Sequence, residues 1–165
     1  MQMDKFIKEF KETIKSAAAR LLALSESQSE IHPVPGKWSP KEIIGHLIDS
    51  AANNHRRFVL AQLQEDLIFP GYEQDRWVAA QDYQSASWPS LVQLWKLYNL
   101  HIAHLVSRIP EDILLKPRRK HNLQEIAWEA VPPDQPATLD YFIRDYFNHM
   151  QHHLRQIFSI KEINS

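Results

Sequence analysis

The chain has 165 residues, 44% of them hydrophobic, which suits one domain with a core of ordinary size. With 19 Lys and Arg against 20 Asp and Glu, its formal charge is -1, so no global electrostatic pull on nucleic acid or an acidic membrane is expected. The absence of cysteine excludes disulfides, thiolate zinc sites, iron–sulfur clusters and a Cys nucleophile, leaving nine histidines to supply most of any transition-metal site.

The first residues, Met1 to Lys5, lack the charged and apolar regions of a signal peptide, and no apolar run approaches the roughly 20 residues of a membrane span. A soluble cytoplasmic protein with one domain over residues 1–165 is expected. Three glycines and ten prolines, with long stretches of 3.6 periodicity, predict helices separated by stiff connections. The first helix, about residues 3–25, sets Phe6, Phe10, Ile14, Ala17, Leu21 and Leu24 on one face. A loop follows, from Ser25 to Lys37.

The second helix opens on a capping box, Ser39 with Glu42, and has Pro40 at its first position. Its stripe of Ile43, Ile44, Leu47, Ala51 and Phe58 carries it to about Glu65. Residues 66–86 break the period around Pro70 and Gly71, and their length marks them as a candidate functional loop. The third helix follows Ser87, with Leu91, Leu94, Trp95, Tyr98, Ile102 and Leu105 inward, and stops before Pro110. Residues 117–136 are irregular, and the run Arg118, Arg119, Lys120 reads as a solvated face. The last helix starts near the capping residue Thr138 and runs to about Ile160. The class is all-α, a four-helix bundle with long crossover loops.

His149 and His153 lie four residues apart on the last helix, so both imidazoles can aim at one ion. Spacing alone is weak, because nine histidines yield roughly half such a pair by chance. Angular position adds to it: on a wheel of about 100° per residue they border the apolar arc, whereas His152 lies further out. On the second helix a polar stripe of His46, Ser50, Asn53 and Arg57 flanks the apolar one, and His46 can meet the last helix at one end of the bundle. The protease pattern H-E-x-x-H is absent, as are G-x-S-x-G, the P-loop and G-x-G-x-x-G.

The run from Trp38 to Ser50, Trp-Ser-Pro-Lys-Glu-Ile-Ile-Gly-His-Leu-Ile-Asp-Ser, followed by Asn53-Asn54 and Arg57-Phe58, resembles the W-S-x-x-E/Q…H-L-x-D-S helix of the DinB-like superfamily. Tyr72 to Trp77, Thr138-Leu139 and His149-Met150-Gln151-His152-His153 are similar to its YfiT branch of metal-dependent hydrolases, whose relatives include bacillithiol S-transferases. The resemblance covers nearly the whole chain except Lys116 to Pro136. It implies one divalent ion, zinc or nickel, held by His46, His149 and His153, with His152 not binding, and it implies frequent homodimers.

Such a site has two enzymatic uses and one other. A low-molecular-weight thiol attacks an electrophilic small molecule, or a bound hydroxide attacks a carbonyl-like centre; thiol transfer is preferred here, since the resemblance is closest to that branch. A non-catalytic metal-binding or stress-response module is the third reading. Asp49 and Arg57 are weak candidates for catalytic roles, Asp49 by orienting an imidazole and Arg57 by holding an anionic group, although Asp49 falls at a surface angle. For a dimer contact, the first helix or the Trp-rich segment from Trp77 to Trp95 offers apolar surface.

Overall fold

The computed structural model describes residues 2–160 and 163. Its helices are α1 (Gln2–Leu22), α2 (Glu26–Ser29), α3 (Pro40–Leu60), α4 (Gln74–Gln81), α5 (Trp88–Val106), α6 (Glu111–Leu115), α7 (Leu123–Ile126) and α8 (Leu139–Phe158). Among the described residues the only β-type pairing is two isolated bridges, Leu67 with His121 and Arg118 with Ala137.

The four long helices form the bundle. Backbone packing joins α1 to α5, α5 to α3, and α3 to α8. The ring closes through aromatics: Phe6 and Phe10 of α1 meet Phe147 of α8 edge-on, with centroids 5.3 and 5.0 Å apart. The long helices neighbouring in sequence, α1 and α3, are therefore not neighbours in this ring, and long crossovers have to connect it. Each helix is held by its buried stripe more than by propensity. On α8 that stripe is Phe142, Ile143, Tyr146, Phe147, Met150, Leu154 and Ile157, each worth about 1.5–3 kcal/mol of burial.

The predicted boundaries shift where local capping intervenes. The first helix stops at Leu22 because Ser25 and Gln28 form their own capping box and start α2 inside the expected loop. Helix α3 begins as predicted, with both halves of the Ser39–Glu42 box made, but ends at Leu60 rather than Glu65. That end is met by Arg118, which the charge run places on a solvated face but the structure buries. It is 5% exposed, and its Nη1 donates to the carbonyls of Ala61 (2.8 Å) and Gln64 (3.1 Å) just beyond the helix end. The aperiodic stretch 66–86 contains α4, and α8 ends two residues before Ile160.

On α5 the inward face is rotated from the expected one. Leu94 is half exposed, and Asn99 occupies the core instead. The amide is satisfied there: Nδ2 donates to the Trp95 carbonyl at 2.9 Å, and Oδ1 accepts from the Tyr146 hydroxyl at 2.5 Å. Trp88 and Trp95 of the Trp-rich segment are buried, while its Trp77 and Leu94 are exposed. A buried ammonium also escapes the sequence pattern: Lys41 pairs with Glu26 at 2.6 Å and Glu30 at 2.9 Å, pinning α2 to the start of α3.

One glycine is required by contact. A Cβ on Gly45, in the first half of α3, would overlap ring atoms of Tyr83. Its absence lets the Tyr83 ring lie on the helix and donate its hydroxyl to Asp49 Oδ1 at 2.6 Å. Gly45→Ala should therefore lower stability, the overpacking cost of about 1–3 kcal/mol exceeding the helix-propensity gain of about 1 kcal/mol. Gly71→Ala, with its nearest neighbour 3.8 Å away, should stay within about 0.5 kcal/mol of the parent. Urea unfolding of both variants checks this, and equal midpoints would contradict the contact.

Candidate metal centre

His46 sits two turns into α3, and His149 and His153 sit one turn apart on α8, so α3–α8 packing brings the three together. The Nε2 atoms of His46 and His149 are 3.3 Å apart and those of His149 and His153 are 3.1 Å apart. One ring nitrogen from each residue lies within 4.8 Å of the other two. Among the described residues no fourth His, Asp or Glu joins this group. His152 stays outside it, its ring 5.2 Å from that of Trp128.

The donor set fits a divalent cation. Metal–imidazole bonds of about 2.0–2.1 Å at octahedral to tetrahedral angles put neighbouring nitrogens about 2.9–3.4 Å apart, a range that the His46–His149 and His149–His153 pairs meet, with the third pair inside 4.8 Å. Proton bookkeeping agrees. The Gln156 Oε1, only an acceptor, lies 2.7 Å from His153 Nδ1, so that nitrogen carries the proton and Nε2 presents a lone pair. Burial, reinforced by His153, pushes His46 down to about 3; burial again, with His153 and the other histidines, does the same for His149. His153 is also lowered, mainly by burial. Neutral imidazole, the form a metal needs, is thus the resting state.

Asp49 is not a surface residue. It is 3% exposed and accepts from Tyr83 and, at 2.8 Å, from Gln81, so its partner is the tyrosine just after α4 rather than an imidazole. His46 Nδ1 is buried without a hydrogen bond, and Asp49 Oδ2 likewise. The ring of His46 is held instead by Trp38, 5.0 Å away between centroids. Arg57 is 5% exposed and makes no ion pair among the described residues. Of the expected stripe, His46, Ser50 and Arg57 line one cavity together, but Asn54 takes the place of Asn53, whose amide turns back to the Asp49 carbonyl at 2.9 Å.

Two recesses open on the cluster. A wider one of about 590 Å³ is bordered by His153, Trp38, Ile43, Pro33 and Ile160. A polar one of about 300 Å³ is bordered by His46, His149, Arg57, Tyr72, Trp128 and Asp145. Gln74 of α4 borders both. Asp145 is a site residue that the sequence reading leaves out, although its place four residues before His149 sets it on the same face. Its carboxylate accepts the backbone N–H of Trp128 and of Glu129, each at 2.8 Å, and so ties the crossover across the cavity.

A family model described as the DinB superfamily matches residues 9–157. A protein of Bacillus mycoides named "Putative metal-dependent hydrolase" is 26% identical over 160 residues, covering 97% of this chain and 86% of that one. A Bacillus cereus protein of the same designation is 25% identical over 111 residues, covering 67% of this chain and 64% of that one. Among solved structures, YfiT from Bacillus subtilis, described as a probable metal-dependent hydrolase with an unusual four-helix bundle topology, matches with a TM-score of 0.79 at 20% identity, over 96% of this chain and 85% of its own. That likeness is one of fold. No helix among the described residues is long and apolar enough to cross a membrane.

The depressed imidazole values make stability depend on pH. Unfolding restores the ordinary value near 6.5, so between about 3 and 6.5 the unfolded chain binds more protons, and stability present above that window is lost as pH falls through it. Each group contributes up to about 1.4 kcal/mol per pH unit. Denaturation of metal-free protein at pH 7, 6 and 5 should show a falling midpoint, with a shallower fall in His149→Gln. Identical slopes in parent and variant would contradict the buried neutral imidazole.

Proposed function

The chain belongs to the DinB superfamily, and on that footing we propose that it is a divalent-metal-dependent enzyme joining a low-molecular-weight thiol to an electrophilic small molecule, with His46, His149 and His153 as the ligands of one zinc or nickel ion. The observation that carries this reading is the position of the three Nε2 atoms at the junction of two recesses of different character. Transfer between two substrates needs a place for each beside one reactive point.

On three neutral imidazoles a divalent ion supplies uncompensated positive charge and open positions, which acidify a bound thiol or water. The chain's own residues do the rest. His46 and His149 face the polar recess, which suits the hydrophilic thiol, and His153 faces the wider one, where Trp38, Ile43 and Pro33 offer an apolar wall to the electrophile. The sulfur forms a bond to the electrophilic carbon, the leaving group departs with its electron pair, and the thiol proton passes to solvent. The three-donor group supports chemistry over a purely structural ion, since structural sites close with a fourth protein ligand.

Hydrolysis by the same ligands is the second reading, favoured by the names of the relatives. Metal-loaded protein offered cysteine, glutathione, coenzyme A or bacillithiol with a chloro-nitrobenzene or bimane electrophile should form the thioether, and His46→Ala should lower the rate by about two orders of magnitude or more. Hydrolysis of an ester or amide panel without conjugation would replace the first reading by the second.

Binding is checked separately. Zn²⁺ or Ni²⁺ at 100 times its dissociation constant should raise stability by about 2.7 kcal/mol. The gain should vanish in His149→Ala and persist in His152→Ala. A metal stoichiometry near zero and an unchanged melting temperature would overturn both enzymatic readings.

A further inference from the structure

We infer that Arg57 is the carboxylate-binding residue of the polar recess, and that one substrate is therefore a small molecule bearing a carboxylate. This deepens the reading of the three-histidine cluster as an enzyme site and rests on it for the word substrate; the binding site itself does not.

His46, Ser50, Asn54 and Arg57 follow one another along α3 at spacings of four, four and three residues, so they form a single polar stripe on the helix face toward α8. The stripe floors the recess, with the ion-binding nitrogens at one end and the guanidinium at the other. Side chains on a helix lean toward its N-terminus, which directs the long Arg57 side chain back toward His46.

The guanidinium is almost wholly enclosed, with 5% exposure. Its acceptors are neutral: Nη1 donates to Asn54 Oδ1 at 3.4 Å and Nη2 to the Pro70 carbonyl at 2.9 Å. Among the described residues no carboxylate pairs with it. Burial opposes its charge and lowers its pKa, yet an arginine stays cationic. An enclosed cation without a counter-charge is costly, and an incoming anion relieves that cost.

Two carboxylates also border the recess, and neither fills this role. Both oxygens of Asp145 are taken by backbone N–H groups of Trp128 and Glu129. Glu125 is exposed at the rim. The planar fork of a guanidinium matches a carboxylate through two parallel hydrogen bonds, a geometry lysine lacks. The tyrosine ring of Tyr72, 5.9 Å from Arg57 Cζ, walls the same end of the recess.

The test uses the full chain and calorimetric binding. Hexanoate and hexanol are titrated into metal-free protein, and 6-mercaptohexanoate and 6-mercaptohexanol into zinc-loaded protein. In the parent each acid should bind at least about tenfold tighter than its alcohol, about 1.4 kcal/mol. Arg57→Gln should abolish the preference, and Arg57→Lys should keep part of it. A parent that does not discriminate acid from alcohol overturns the inference, whether or not the variants fold. So does Arg57→Gln if it keeps the preference. If no thiol is conjugated but hexanoate still binds in an Arg57-dependent way, the enzymatic reading fails and the carboxylate site stands.

Discussion

Three imidazole nitrogens facing one point, one from buried His46 and two from half-buried His149 and His153, form the constraint around which this molecule is organised. The cluster draws one residue from α3 and two from α8, so it exists only when those helices are packed in one register. Much of the surrounding structure serves that register. The capping box of Ser39 fixes where α3 begins, Lys41 binds α2 against its first turn, and Arg118 meets the carbonyls beyond its last turn. Phe58, between Phe142 and Tyr146 at 5.7 Å from each, locks α3 onto α8 from the core side. Helix α3 is thus fixed at both ends and joined to α8 along their seam by contacts that do not involve the histidines, so the packing itself holds the three nitrogens together.

The crossovers turn that point into a site with sides. One, after α3, brings Gly71 and Tyr72 to the polar recess, and Gln74 of α4 then borders both recesses. The other, between α5 and α8, brings Trp128, which Asp145 holds together with Glu129 by two backbone bonds. The two crossovers meet at the bridge between Leu67 and His121, where Asn122 also accepts from the Phe69 N–H and donates to its carbonyl. Long connections in a small bundle cost chain entropy, which here is offset by hydrogen bonds that place a cavity wall.

Much of this is legible in the chain itself. The four long helices follow from apolar spacing, and three of their starts follow from Ser39, Ser87 and Thr138, because capping is a local interaction written in neighbouring residues. The cluster of His46, His149 and His153 comes from helix faces and from family resemblance, and the structure brings these three together. What escapes is set by contacts distant in sequence. The helix wheel puts Asp49 outside, but Tyr83 covers it through the gap left by Gly45. The charge run at Arg118 looks solvated because nothing nearby in sequence reveals that the end of α3 accepts it. Asn99 displaces Leu94 from the expected core face for the same reason, since its partner is 47 residues away on α8.

X-ray absorption at the metal edge of protein loaded with one equivalent of zinc reads the ligand set most directly. Three imidazoles at about 2.0–2.1 Å with one or more solvent ligands are expected, unchanged in His152→Ala and reduced to two imidazoles in His46→Ala. A shell with fewer than three imidazoles in the parent protein, or one closed by four protein ligands, would contradict an open three-histidine centre.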